Sequence, residues 1–235
     1  MSPPRIALFV LCAVVPAIAY RLGGASLWYV FAAGYGAAAA LSLFALAQDG
    51  QLRAALLPRA GDATVALVPA MALFAAVTLG VTKVLAPIPL LRVCGADGAL
   101  IGIAQTHGFG AFTEWLRDRS CAAFGHGSAM QGTARAAFVI TVAGFEELAW
   151  RAGVQQALGE RLGSTRGWLV ASVLYAAAFL GTGNASLALL ALPTGLAWGA
   201  MYRFRGRVAP AVVAHMVFSW ALLCNNAPFV VRGSL

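Results

Sequence analysis

The chain is organised as long apolar runs separated by short polar segments. Seven runs approach the roughly 20 residues needed to cross a bilayer, and they cover positions 6–20, 27–47, 64–86, 134–158, 168–180, 185–202 and 208–224. The runs are rich in Ala, Leu and Gly and do not show the short polar–apolar alternation of a membrane barrel. A spanning segment must satisfy its own backbone hydrogen bonds, as a helix does. The pattern predicts an all-α, polytopic transmembrane helix bundle with about seven spans, an eighth being left open.

Positions 87–133 interrupt this pattern. They contain Pro87, Pro89, several glycines, three acidic residues and two of the three histidines, His107 and His126. We interpret the segment as a long extramembrane or re-entrant loop within a single membrane domain of residues 1–235.

The composition agrees with a membrane protein. Hydrophobic residues make up 61% of the chain and charged residues 10%, against about a quarter charged in a soluble domain. The net charge of +8 comes from arginines at the ends of apolar runs, where they meet lipid headgroups. No basic stripe with interleaved aromatics is present, which argues against nucleic acid as a partner and leaves the lipid bilayer.

The arginines also predict an orientation. Most of the arginines lie on one side of the predicted bundle, in alternate short loops, and the positive-inside rule makes that side cytoplasmic. The arginines on this side are Arg5, Arg53, Arg59, Arg161, Arg166, Arg203, Arg205 and Arg207. The strong preference for arginine, alanine and glycine suggests a GC-rich bacterial genome, so we expect a bacterial inner membrane.

Two questions stay open. Arg5, a short apolar core and Ala17-Ile18-Ala19 together also resemble a signal peptide over residues 1–19. Cys94 and Cys121 fall in the predicted outer loop, where they either pair in an oxidising compartment or remain free thiols.

The predicted spans contain few ionisable residues away from their ends. Glu146, Glu147 and Arg151 share one run, and His215 lies in another. Charges at membrane depth cost several kcal/mol and mark functional sites. Glu147 and Arg151 are spaced as an i,i+4 ion pair, a structural role. The side chain of Glu146 points about 100° away from that of Glu147 and has no partner in its own helix. We therefore interpret Glu146 as functional.

A buried glutamate and a histidine suggest several kinds of chemistry. Together they form a site for activating water. Zinc is not expected, because H-E-x-x-H and other regular ligand spacings are missing, and the sequence suggests no other cofactor. A proton-coupled transporter is the rival class, since such residues form proton relays and Pro193 with Gly195 would suit a discontinuous helix.

One motif resembles a known family. Residues 146–151, E-E-L-A-W-R, are similar to the E-E-x-x-x-R motif of the CAAX-protease and bacteriocin-processing family, related to type II CAAX prenyl endopeptidases. Segments 172–179 and 214–219 resemble the second and third motifs of that family, so the resemblance covers residues 134–224.

The resemblance implies an intramembrane endopeptidase of the glutamic type that acts on membrane-anchored proteins or peptides. It implies that Glu146 is the general base and that Glu147 and Arg151 orient it. His215 and Ser219 would face the oxyanion, Ser219 standing where the family has asparagine.

The second motif departs from the family pattern. Phe179 follows Tyr175 by four residues, at the position where the family has histidine, and a phenyl ring cannot relay a proton. In one explanation His215 becomes the partner of Glu146, and the oxyanion is left to Ser219, Asn184 or Tyr175. In a second, His107 or His126 reaches in from the loop. In a third, the chain is a degenerate protease that acts as a membrane scaffold.

Overall fold

The computed structural model describes residues 3–22, 24–79, 132–182 and 185–224, and every regular element in these ranges is helical. The elements are α1 (Pro3–Leu22), α2 (Gly24–Gln48), α3 (Leu52–Leu56), α4 (Asp62–Leu79), α5 (Gly132–Glu147), a π-helical segment (Leu148–Gln155), α6 (Gln156–Leu162), α7 (Ser164–Leu180), α8 (Ala185–Arg205) and α9 (Ala209–Cys224). The all-α prediction is confirmed, and the helices follow the apolar runs.

The number of membrane spans stays a prediction. In the described part of the chain, one helix, Trp28–Gln48, is long and apolar enough by composition to cross a membrane. Four further apolar helices are shorter, namely Ala7–Ala19, Asp62–Val77, Ser164–Leu180 and Ala209–Ala221. The predicted loop lies outside the described residues apart from its last two positions, which begin α5.

The helices pack around two main apolar clusters. α1 packs on α2 and α7 on α8, while α9 lies between α4 and α5. Cys12, Tyr35, Trp150 and Tyr175 belong to the first cluster, which joins α1, α2, the π segment and α7. Trp198 and Phe218 belong to the second, between α4, α8 and α9. The π segment therefore lies at the centre of the bundle.

The π-helical segment was not predicted. The sequence suggested one uninterrupted helix over 134–158, but the structure changes to π-helical hydrogen bonding directly after Glu147. Wide turns of this kind inside α-helices are frequent at functional sites. Gly153 lies in this segment, where an added Cβ would come within 2.3 Å of Ser42 Oγ and 2.5 Å of Leu8 Cδ2. Glycine therefore allows α1 and α2 to approach the segment closely.

Ion pairs join the helix ends at one pole of the bundle. Arg5 pairs with Asp49 at 3.3 Å and also with Glu160. Asp62 Oδ1 lies 2.7 Å from Arg205 Nη2. These arginines belong to the set that the sequence assigned to the cytoplasmic side, and the orientation in the membrane stays a prediction.

Candidate active site

The two glutamates are the last residues of α5, and Glu147 links three elements. Its Oε2 accepts a hydrogen bond from Arg151 Nε at 2.8 Å, within the same helical run. Its Oε1 lies 2.9 Å from Nδ1 of His215 on α9. The side chains of Glu147 and Arg151 are fully buried. The ion pair predicted from the spacing is therefore present, and Glu147 of this pair also contacts His215.

The contact with Glu147 determines how the imidazole of His215 faces the site. A carboxylate that accepts from arginine is an acceptor on both oxygens, so we assign the proton to Nδ1 of His215. Nε2 is then turned to Glu146, whose Oε2 lies 3.7 Å away. Glu146 is itself buried. The structure thus brings Glu146, Glu147, Arg151 and His215 together.

Aromatic side chains enclose this centre. The ring of Trp198 stacks on the imidazole of His215, with centroids 6.1 Å apart and planes inclined by 28°. The guanidinium of Arg151 lies over the ring of Tyr175 at 5.3 Å, and Trp150 contacts the same ring edge-on at 5.2 Å. These contacts restrict the orientation of the charged side chains and exclude bulk water.

Phe179 lies next to the site, one helical turn beyond Tyr175. The two rings meet at 75° with centroids 5.2 Å apart, and Phe179 packs against the first apolar cluster. A hydrophobic ring thus lies next to Tyr175 at the sequence position where the resemblance predicts a histidine.

The other residues predicted for the site have fewer contacts with the glutamates or lie outside the described residues. Ser219 is buried on α9, one turn after His215, and makes no hydrogen bond to the glutamates within the described ranges. Tyr175 is close enough to Glu146 to interact with its carboxylate. Asn184, His107, His126, Cys94 and Cys121 lie outside the described residues.

Sequence reasoning missed Tyr35. This residue of α2 is completely buried and its hydroxyl interacts with Glu146. The one signal in the sequence is a tyrosine between two glycines, Gly34 and Gly36, in an otherwise apolar run.

No group of three or more His, Cys, Asp or Glu side chains is arranged to hold a metal ion among the residues that the structure describes. Within the centre, Arg151 and His215 already occupy both oxygens of Glu147. The expectation that the protein needs no metal or other cofactor stays a prediction.

Fold and site together define an all-α protein with an enclosed carboxylate–imidazole pair, a combination suited to activating water. Residues 131–221, less than half of the chain, match the family model described as "Rce1-like: Type II CAAX prenyl endopeptidase Rce1-like". This match confirms the resemblance found in the sequence. Members of that family are integral membrane proteins, and the family suggests an intramembrane endopeptidase of the CAAX type. No curated protein and no solved structure gives a significant match to the chain.

Proposed function

We propose that this protein is an intramembrane endopeptidase of the glutamic type, in which Glu146 and His215 activate water to hydrolyse a peptide bond. The observation that carries the proposal is the pair formed by Glu146 Oε2 and His215 Nε2, 3.7 Å apart in an enclosed site. Two acceptors at this separation can both lie about 2.8 Å from one water molecule.

The reaction uses these groups in two proton transfers. One proton of the water passes to the Glu146–His215 pair as the water oxygen attacks the carbonyl carbon of the substrate. The carbonyl oxygen becomes the oxyanion of a tetrahedral intermediate. When the C–N bond breaks, the same proton passes to the leaving amine, so that acid and base are restored.

Glu147 and Arg151 act on the geometry of this pair. Glu147 holds Nδ1 of His215 at 2.9 Å, which leaves Nε2 to face Glu146. Arg151 compensates the charge of Glu147 at 2.8 Å. A carboxylate that orients a catalytic imidazole is a recurrent arrangement in hydrolases.

The oxyanion requires a hydrogen-bond donor near the reacting carbonyl. Ser219 lies on the helix of His215, one turn further on, and Tyr175 interacts with Glu146 from α7. We assign stabilisation of the oxyanion to these two hydroxyls. Asn184 remains an accessory candidate from the sequence.

The substrates in this proposal are membrane-anchored proteins or peptides. The family suggests membrane-associated substrates, and the arginine-rich pole is expected to face the cytoplasm of a bacterial inner membrane. From the sequence, the loop of residues 87–133 is proposed as a docking surface.

A second candidate function rests on Phe179. Its phenyl ring lies beside Tyr175, at the sequence position where the resemblance predicts a histidine. In this alternative the chain is a degenerate family member that binds a membrane partner without cutting it. The test below separates this scaffold, and a proton-coupled transporter, from a protease.

The experiment compares protein termini in membranes of cells expressing the wild type, Glu146→Gln or Glu160→Gln, mapped by mass spectrometry. Glu160→Gln is the matched control, because it makes the same chemical change at the exposed pole, where Glu160 pairs with Arg5. Folding is checked by thermal unfolding of each purified variant in the same detergent.

A protease predicts new termini with the wild type and with Glu160→Gln that are missing with Glu146→Gln. Identical termini in all three strains, with folded protein in each, would reject the protease. Proton-linked flux that changes in Glu146→Gln would then favour the transporter, and a pulled-down partner retained by Glu146→Gln would favour the scaffold.

A further inference from the structure

Tyr35 is buried at the centre of the bundle, on an element that the family match does not include. Its exposed fraction is 0%, and α2 packs against both α5 and the π segment. The family match begins at residue 131. Tyr35 is therefore a contribution of the N-terminal part of this chain to the candidate site.

The glycines on either side of Tyr35 allow α2 to approach its neighbours. An added Cβ at Gly34 would lie 2.5 Å from Val15 Cγ2 on α1, and one at Gly36 would lie 3.3 Å from Phe145 Cε2 on α5. Phe145 directly precedes Glu146. Close approach on both sides places the tyrosine between α1 and the end of α5 that carries the glutamates.

The ring of Tyr35 is held by packing. Phe31, one turn earlier on α2, stacks on it with centroids 5.8 Å apart and planes inclined by 12°. Tyr35 also belongs to the apolar cluster that contains Trp150 and Tyr175. A phenylalanine would satisfy these contacts equally well, so packing does not account for the hydroxyl group.

The hydroxyl of Tyr35 has no hydrogen-bond partner among the described residues, although it is fully buried. A buried donor without an acceptor is costly, and each such group in a native structure needs an explanation. Polar groups that act on this hydroxyl include the Glu146 carboxylate and the indole N–H of Trp150. An indole N–H only donates, so of these two groups the carboxylate is the one that can accept the phenol proton.

We propose that Tyr35 is a positioning residue for Glu146, and that its phenol O–H donates a hydrogen bond to the Glu146 carboxylate when the site works. Tyr35 supplies a buried donor without a partner on α2, and Glu146 is a buried carboxylate at the end of α5, the helix against which α2 packs. The bond gives the carboxylate a second contact besides the one with His215, at a site where Phe179 supplies no polar group. This role in catalysis rests on the proposed function.

The test compares Tyr35→Phe with Tyr29→Phe. Tyr29 lies on the same helix but is 57% exposed, so its change removes a hydroxyl that faces away from the site. The substrate is the protein whose termini depend on Glu146 in the experiment above. Tyr35→Phe is expected to lower kcat about 10- to 100-fold, the value of a hydrogen bond to a charged group, with KM nearly unchanged.

Thermal unfolding distinguishes positioning from a structural role. Tyr35→Phe removes a buried hydroxyl without a partner, so its melting temperature is expected to equal or exceed that of the wild type. A structural role predicts the opposite, namely a lower melting temperature together with the loss of activity, and that result would overturn the proposal.

Infrared spectroscopy tests the contact without any substrate. The difference spectrum between the wild type and Glu146→Gln identifies the carboxyl band of Glu146. The O–H dipole of Tyr35 acts on the Glu146 carboxylate before the hydrogen bond forms, so we expect Tyr35→Phe to move this band and Tyr29→Phe to leave it in place. An unmoved band in Tyr35→Phe, or a moved band with unchanged kcat, would overturn the proposal. If the wild type and Glu146→Gln give the same termini, the proposed function fails by itself, and the band still decides whether the Tyr35 hydroxyl acts on the Glu146 carboxylate.

Discussion

His215 Nδ1 lies 2.9 Å from Glu147 Oε1, and this contact joins α9 to the end of α5. Glu147 in turn is held by Arg151 at 2.8 Å. The position of the imidazole relative to Glu146 therefore depends on an ion pair in a neighbouring helix. Changes at Glu147 should affect both the stability of the bundle and the chemistry of the site.

Glu147→Gln is predicted to destabilise the protein by about 3 kcal/mol, because it leaves the buried guanidinium of Arg151 without a counter-charge. It should also reduce substrate processing, since a neutral amide orients His215 less firmly. Thermal unfolding in one detergent and quantified product termini measure the two effects.

The double variant Glu147→Gln with Arg151→Met is the control for the ion pair. It removes both charges from the buried site, so it should recover most of the stability but none of the processing. A double variant as unstable as the single one would show that the buried charge is not the source of the loss.

His215 and Ser219 are predicted to differ in their effects. In the proposed mechanism His215 contacts the attacking water, so His215→Ala should lower kcat about 100-fold or more. Ser219→Ala removes one of the two proposed donors to the oxyanion while Tyr175 remains, so a loss of about tenfold is expected. Kinetics on the identified substrate measure both. A larger loss in Ser219→Ala than in His215→Ala would contradict the role of His215 as the partner of Glu146.

Phe179→His restores the residue that the family has at this position. If His215 is already the partner of Glu146, the change should not raise processing. It should lower stability by about 1 kcal/mol, because position 179 is partly buried and a polar imidazole there would lack a partner. Product termini and thermal unfolding are compared with the wild type. A rise in processing of tenfold or more would instead identify a site that lacks its histidine.

The sequence predicted the helical architecture well, for a physical reason. Apolar runs bounded by arginines or glycines specify helices and their ends, and α8 (Ala185–Arg205) and α9 (Ala209–Cys224) differ from the predicted runs by at most three residues. The pair of Glu147 and Arg151 was predictable as well, because both residues lie in one helix and their spacing is local.

Relationships between helices were harder to predict. Nothing in residues 148–155 distinguishes a π segment from an α-helix, and the contacts of α1 and α2 with this segment join residues that are far apart in sequence. Tyr35 was missed because it is far from Glu146 in sequence and its type is ordinary in a membrane helix. The contact of His215 with Glu147, in preference to Glu146, also depends on how α9 packs on α5.

Asp62 gives a prediction on pH. Burial alone would raise the pKa of Asp62, but the Arg59 N–H, the Arg205 guanidinium and the charge of Arg207 outweigh it and lower the pKa. A lowered pKa means that the ionised form contributes stability above the pKa of an unfolded aspartate, and that this contribution is lost as the pH falls towards the folded value. The stability difference between the wild type and Asp62→Asn should therefore be largest near neutral pH and shrink on acidification.

Thermal unfolding of both proteins over a pH series measures this difference. Asp49→Asn is the control, since Asp49 pairs with Arg5 across side chains that are 41% and 24% exposed, and such surface pairs contribute little. An Asp62→Asn difference that stays constant with pH would show that the ion pairs of Asp62 do not stabilise the fold.

Gly153→Ala is predicted to disturb the π segment. The added Cβ would lie 2.3 Å from Ser42 Oγ and 2.5 Å from Leu8 Cδ2, so α1 and α2 would have to move away from the segment. Overpacking of this kind costs about 1–3 kcal/mol, and the shift should also reduce processing, because Tyr35 on α2 would move relative to Glu146. Gly144→Ala on α5 is the matched control, since its Cβ would approach most closely the terminal methyl group of Met216, at 2.6 Å, which a flexible side chain can withdraw. Thermal unfolding and product termini of the two variants are compared. Equal losses in both would mean that the close approach at Gly153 has no special role in holding α2 against the site.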